Sequence, residues 1–269
     1  MTDLIKSKSR VRDHGEVFTP DFIVNDMLDL VKDESENITS TFLEPACGNG
    51  NFLIEILRRK METIKRKYKK NLIEFECQTL ITVWSVYGVD LMIDNVYEAR
   101  ERLSHLVKEY YSHCFKKKEQ HSDFFLSLEY ILQRNIIQWD ALTYKTQDWD
   151  PIVFSSWSAT AWKISREDFS FQDLAESENT ENKHSFTNDR WENIFQVNEI
   201  HKYKAIFYLD LYKQDDFKQD SVQSGCFRCF SKSQQWWSIH TAKDSKWNAW
   251  PLTKWNMVGL FDQDFGSSL

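Results

Sequence analysis

Three carboxylates close three short apolar runs in the first half of this chain. Glu44 follows Thr41-Phe42-Leu43, Asp90 follows Tyr87-Gly88-Val89, and Asp140 follows Asn135-Ile136-Ile137-Gln138-Trp139. After the first run comes Pro45-Ala46-Cys47-Gly48-Asn49-Gly50, and then Leu53, Ile56, Leu57, Ile64 and Tyr68 keep helical spacing. Strand, glycine turn and helix, followed by further strands that end in an acid, specify parallel strands joined by crossover helices. The expected fold class is therefore α/β, a doubly wound, mostly parallel sheet with ligands at the carboxyl ends of its strands.

The remaining elements fit that order. Phe18-Thr19-Pro20-Asp21 reads as a helix start, with Thr19 as N-cap and Pro20 at the first helical position, and Val24, Met27, Leu28 and Val31 supply its apolar stripe. Ile81 to Val89 reads as the second strand, Val96, Ala99, Leu103, Leu106, Val107 and Tyr110 as a helix, Phe125 to Leu132 as another, and Ile152-Val153-Phe154 as a fourth strand. Beyond Phe169 the periodicity weakens. Ala175 to Asn188 is a polar run that predicts a loop, and Ile206 to Leu211 reads as one more strand. Trp236, Trp237, Trp247, Trp250 and Trp255 stand among Ser, Lys and Gln in a stretch that fits neither period. The expected division is a domain over 1–165 and an irregular C-terminal region over 166–269.

Composition narrows the class. Hydrophobic residues are 41% and charged residues 28% of the 269, enough for a packed core. No run approaches the roughly 20 apolar residues of a membrane helix, and the polar start does not read as a secretory signal, so a cytoplasmic protein without membrane contact is expected. Cys47, Cys77, Cys114, Cys226 and Cys229 are odd in number and scattered, as reduced thiols are. Cys226 and Cys229 have metal-like spacing and His240 follows, but no second pair completes a zinc set, and no metal is expected. The net charge of −7 predicts weak binding to DNA by this chain alone. Basic residues gather at Lys6 to Arg12, Arg58 to Lys70 and Lys116 to Lys118, as phosphate contacts or as solvated helix faces.

The glycine turn has two readings from its residues. As a chain reversal it requires nothing further; as a cofactor turn it uses glycine to let backbone approach a ligand. A dinucleotide fingerprint would need a third glycine where Leu53 stands. A carboxylate at a strand end accepts both hydroxyls of a ribose, and a second one takes an amino group, so the repeated acids suit an adenosine cofactor that carries no pyrophosphate.

Phe18-Thr19-Pro20, Phe42-Leu43-Glu44-Pro45-Ala46-Cys47-Gly48-Asn49-Gly50-Asn51-Phe52-Leu53, Tyr87-Gly88-Val89-Asp90 and Trp139-Asp140-Ala141-Leu142 together resemble the adenine-N6 DNA methyltransferases of restriction–modification systems. The resemblance covers roughly residues 10–157 and implies a Rossmann-like domain that binds S-adenosyl-L-methionine. Position by position, it implies that Phe18, Thr19 and Pro20 hold the methionine end. Glu44, Pro45, Ala46, Gly48, Gly50, Asn51 and Phe52 would line the amino acid and ribose, with Asp90 and Leu91 at the ribose hydroxyls. Asp140, Ala141 and Leu142 would meet the adenine, which Leu142 or Ile137 would wall.

The family's catalytic loop, Asn or Asp followed by Pro-Pro and an aromatic, is absent. The prolines are Pro20, Pro45, Pro151 and Pro251, none adjacent to another, and where the loop is due the chain reads Ser155-Ser156-Trp157. Those three are the candidate catalytic residues, with Trp157 to stack on a flipped base. What the resemblance implies is a cofactor-binding subunit that meets DNA within a complex, with a second methyltransferase or specificity polypeptide supplying the target loop. A complete enzyme using Ser155 to Trp157 or some later segment, and a non-catalytic remnant serving as a scaffold or interfering partner in a restriction complex, are the other readings. The tryptophan-rich stretch reads as a binding appendage or as a chain end that departs from the family by truncation or a frame change.

Overall fold

The structure is a computed structural model, and it describes residues 4–116, 121–140, 153–170, 199–217 and 236–238. It is a mixed α/β protein with a small parallel sheet. Strands β1 (Thr41–Glu44), β2 (Val86–Asp90) and β3 (Ile136–Gln138) lie in the order β3-β2-β1, and the short β7 (Trp236–Ser238) pairs along the outer side of β1. The helices are α1 (Lys8–His14), α2 (Asp21–Asp29), α3 (Lys32–Glu36), α4 (Asn51–Tyr68), α5 (Leu72–Trp84), α6 (Ile93–Cys114) and α7 (Ser122–Asn135). Among the described residues none is long and apolar enough to cross a membrane.

β1 and β2 carry buried side chains along almost their whole length, as strands covered on both faces must. The stripe of α2 is buried at Val24 and Leu28, and α4 buries Leu53, Ile56, Leu57 and Ile64 in the same core. Leu53, which stands where a dinucleotide fold has its third glycine, is accommodated from the other side. A Cβ at Gly88 in β2 would lie 2.6 Å from Leu53 Cδ1, so the missing side chain on the strand makes the room.

Four readings of the sequence are corrected. Thr19 is not the N-cap of α2: Pro20 holds that place without a side-chain cap, and the Thr19 carbonyl instead accepts from Asn51 Nδ2 at 2.9 Å. Ile81 to Trp84 belong to the end of α5 and the strand begins at Val86. Asn71 caps that helix by accepting from the Glu74 N–H at 3.3 Å, and its face is so apolar that its C-terminal turn reads like a strand. Of Ile152-Val153-Phe154, Ile152 lies outside the described residues, and Val153 and Phe154 do not form a fourth parallel strand. β4 (Val153–Thr160), β5 (Lys163–Ser170) and β6 (Glu199–Phe207) form a separate antiparallel sheet, and residue 165 lies inside β5. Ile206 and Phe207 end β6, and Tyr208–Phe217 is a 3-10 helix rather than a strand.

The second sheet shares the core of the first. The Tyr87 hydroxyl of β2 donates to the Ser155 carbonyl of β4 at 2.7 Å, and Trp157 Nε1 donates to Asn135 Oδ1 of α7 at 2.9 Å. The 3-10 helix is tied in by Glu76 of α5, a fully buried carboxylate that accepts from the hydroxyls of Tyr111 and Tyr208 and contacts His121 Nδ1 at 2.8 Å.

Lys60 of α4 is fully buried, with its amine donating to the Ser40 carbonyl and to Ser85 Oγ at 2.7 Å, and lying 5.0 Å from the centre of the Phe42 ring. Burial holds its amine well below the usual lysine range. Below the unfolded value of ~10.4 the unfolded chain takes up a proton that the folded chain resists, so this residue's contribution to stability rises with pH toward that value. Urea titrations of wild type and Lys60→Met between neutral pH and pH ~10 are expected to show wild type gaining on the variant, by up to about 1.4 kcal/mol per pH unit at the steepest. Parallel curves would mean that Lys60 keeps its proton on folding.

Candidate cofactor site

At the carboxyl ends of β1 and β2 the chain bends sharply. The Cys47 N–H donates to the Val89 carbonyl at 2.8 Å, and the Gly50 N–H closes the turn onto the Cys47 carbonyl at 2.8 Å. Gly50 sits at φ 91°, and a Cβ there would stand 3.1 Å from Ala99 Cβ, so both backbone angle and the approach of α6 call for glycine. α4 starts from this turn.

Asp90 faces the turn. Its Oδ2 accepts from the Gly48 N–H at 2.9 Å, and its Oδ1 accepts from the Met92 N–H at 2.8 Å and from Asn95 Nδ2 at 3.0 Å. Burial pushes its carboxyl up from the ordinary range; the donors from Met92, Asn95 and Gly48 pull it down without overcoming that, and the charge of Glu16 adds to the rise. Glu44 is fully buried at the end of β1, with the Ala46 N–H 3.4 Å from its Oε1. The neighbouring Cys47 thiol is raised well above its usual range by burial and by the charges of Asp90 and Glu44, so it is a packing group rather than a nucleophile.

The N-terminal segment packs onto the same turn. Phe18 is buried, and a Cβ at Gly48 would stand 3.1 Å from its Cδ1 and Cε1. Thr19 and Pro20 are half-buried, and Asn51, buried at the start of α4, links Thr19 to Arg102, whose Nη1 donates to the Asn49 carbonyl at 2.6 Å and to Asn51 Oδ1 at 2.9 Å. Phe52 is buried, Pro45 half-buried, and Ala46 and Leu91 are exposed. Asp140 is half-buried one residue beyond Trp139, whose N–H donates to the Asp90 carbonyl at 2.8 Å, and Ile137 pairs with Val89. Thus the Phe18 segment, the glycine turn, Asp90 and Asp140 meet at one edge of the parallel sheet. Ala141 and Leu142 lie outside the described residues, as do Cys226, Cys229, His240, Trp247, Trp250 and Trp255.

Ser155 and Trp157 lie elsewhere, in the core of the second sheet. Trp157 is 4% exposed and stacks on Trp84, with ring centroids 6.5 Å apart and planes 7° from parallel. Ser155 is buried and its hydroxyl donates to Asp168 Oδ1 at 2.7 Å. Both are core groups of the second sheet with their polar atoms spent on neighbours. Ser156, between them, is half-buried on the alternate face of β4.

Glu16, Asp94, Asn95 and Glu98, not singled out in the sequence, join Lys6, Arg10 and Asn49 around the turn. Asn95 Nδ2 also donates to Glu16 Oε2 at 3.0 Å, and Glu16 pairs with Arg10, whose Nη1 reaches Asp94 Oδ2 at 2.7 Å. Lys6 pairs with Asp94 at 3.0 Å and with Glu98 at 2.8 Å, and Glu98 Oε1 accepts from Asn49 Nδ2 at 2.9 Å. The contacts close a ring from Asp90 round to the glycine turn. Burial alone would raise the carboxyls of Asp94 and Glu98, but Lys6 holds both below the usual range, with Arg10 reinforcing Asp94 and Asn49 and Arg102 reinforcing Glu98. Lys6 and Arg10, in the first basic cluster, are thus engaged by carboxylates. Part of the second cluster is similarly used, since Arg59 pairs with Asp29 at 2.9 Å. Among the described residues, Glu16 Oε1, Asn49 Oδ1 and Asn95 Oδ1 are buried acceptors without a hydrogen-bond partner.

No family model, no curated protein and no solved structure matches this chain.

Proposed function

We propose that the chain binds S-adenosyl-L-methionine on this edge of the sheet and serves as the cofactor-binding part of an adenine-N6 DNA methyltransferase in a restriction–modification system. The observation that carries the reading is the meeting of Asp90, the glycine turn and the Phe18 segment at the carboxyl ends of the parallel strands. Carboxylates at Asp90 and Glu44 favour a ligand that carries amino and hydroxyl donors and a positive charge. S-adenosyl-L-methionine, a sulfonium with a free amino group and ribose hydroxyls, has those properties, and a pyrophosphate does not. The strand order β3-β2-β1 also agrees with one half of a doubly wound, Rossmann-like sheet.

In this reading Asp90 and Glu44 accept from ribose and amino groups, Asp140 takes the adenine amino group, and Phe18 to Pro20 cover the methionine end. The cofactor supplies an electrophilic methyl group, and what the chain contributes is position and exclusion of water. Ser155 and Trp157 being core groups, the target adenine is held by a loop of another polypeptide, which also brings the basic surface that a chain of net charge −7 needs on DNA. The remnant reading is favoured by one observation: Asp90 already accepts three hydrogen bonds, and a carboxylate has about four lone-pair positions to offer.

Isothermal titration of the folded chain with S-adenosyl-L-methionine decides between them. Saturable binding weakened ten-fold or more by Asp90→Ala, on the order of 1.4 kcal/mol, is the expected result. A folded chain that binds no cofactor leaves the remnant reading in possession.

A further inference from the structure

We infer that residues 4–19 form an ionic strap that regulates this cofactor site, setting the Asp90 carboxylate through Arg10, Glu16 and Asn95 and the glycine turn through Lys6, Glu98 and Asn49. The inference rests on the reading of the site given above. Its basis is the closed ring of contacts: two cations of the N-terminal arm meet Asp94 and Glu98 on one face of α6, four residues apart. From that anchorage two arms reach inward, one to each part of the floor.

The two layers differ in character. Lys6, Arg10, Asp94 and Glu98 keep 18–48% of their side-chain surface in solvent. Pairs of that exposure are individually weak and are weakened further by salt, whose screening length is about 8 Å at physiological ionic strength. Glu16 and Asn95 are nearly or wholly buried, and their link to Asp90 is a pair of hydrogen bonds that salt scarcely reaches. The outer layer therefore fastens and releases while the inner layer transmits. Released, the arm removes Phe18 from Gly48 and leaves Asn95 without Glu16, so that nothing from the N-terminal side fixes the Asp90 rotamer. Fastened, it presents an oriented carboxylate beneath an aromatic cover. Asn95 and Glu16 are positioning residues in this scheme, since they act on the ligand through Asp90.

The full-length chain is titrated with S-adenosyl-L-methionine at low and high potassium chloride, as wild type, as the double variant Lys6→Gln/Arg10→Gln, and as Lys6→Arg/Arg10→Lys. Wild type is expected to lose affinity at least ten-fold at high salt. The glutamine double variant should bind weakly at both salts with little further salt response, and the charge-conserving one should restore the wild-type pattern, which a purely structural role of these side chains would not produce. In parallel, amide exchange of the ligand-free chain is followed at Phe18, whose N–H donates to the Leu4 carbonyl, and at Met92, whose N–H donates to Asp90. Ten-fold faster exchange at both positions in the glutamine variant, or in wild type at high salt, is expected. Unchanged affinity, salt response and exchange in the glutamine variant overturn the strap. If wild type is folded and binds no cofactor, the reading of the function fails, and the exchange rates alone decide whether the strap exists.

Discussion

Replacing Arg166 by Met is expected to cost about 3–5 kcal/mol of folding stability, read as a fall in the urea midpoint at unchanged slope. Arg166 is 2% exposed in β5. Its Nη2 donates to Asp215 Oδ1 at 2.9 Å, its Nη1 to the Tyr130 hydroxyl, and its guanidinium lies 3.7 Å from the centre of the Tyr203 ring. Nε stands 3.0 Å from Asp168 Oδ1, close enough for ion pairing though not aligned as a hydrogen bond. Asp168 is itself 7% exposed, so without the arginine an anion stays in the core with only Ser155 donating to it among the described contacts. Coulomb attraction across the intact pair is largely offset by desolvation, and the large number belongs to the orphaned charge, not to the bond. The double variant Arg166→Met/Asp168→Leu is therefore expected to be more stable than Arg166→Met alone. If the second substitution adds to the loss instead, the cost is one of packing around Tyr130 and Tyr203.

That cluster also marks where reading the sequence stops. β1, β2 and β3 were legible because Glu44 and Asp90 end the first two, Asp140 follows the third at two residues' distance, and the first runs into a glycine turn, features fixed by local chemistry, whereas the three-residue β7 lies in a stretch that fits neither period. α5 was mistaken in part because a helix buried on most sides loses its period, even though Asn71 announces its start. The hairpin of β4 and β5 was missed because its two-residue turn, Ala161-Trp162 at φ 47° and 66°, has no glycine or asparagine to signal it. Gly88 illustrates a compensation invisible along the chain: the strand gives up a side chain so that Leu53 fits. The motifs of the candidate site were legible as residues, but the ion pairs of the N-terminal arm were not, since Lys6 and Arg10 meet Asp94 at separations of 88 and 84 residues and surface charge pairs leave no pattern in sequence.

Trp157→Ala is expected to destabilise the chain by about 3–5 kcal/mol, the range for emptying a buried aromatic site. The ring is held between the second sheet and helices α5 and α7: it stacks on Trp84, meets Tyr130 edge-on at 6.2 Å, and satisfies Asn135, whose amide in turn donates to the carbonyls of Trp84 and Val86 just where α5 passes into β2. Trp157→Phe separates the two contributions. It keeps an aromatic ring but leaves the fully buried Asn135 Oδ1 without its donor, which costs about 1–3 kcal/mol. Neither variant touches the proposed cofactor edge, so under the proposed function Trp157→Phe, folded, should bind S-adenosyl-L-methionine as wild type does and support methyl transfer when the proposed complementing polypeptide is present. The opposite pattern, stability within about 1 kcal/mol of wild type with transfer abolished in both variants, would return Trp157 to the target base and make this chain a complete methyltransferase.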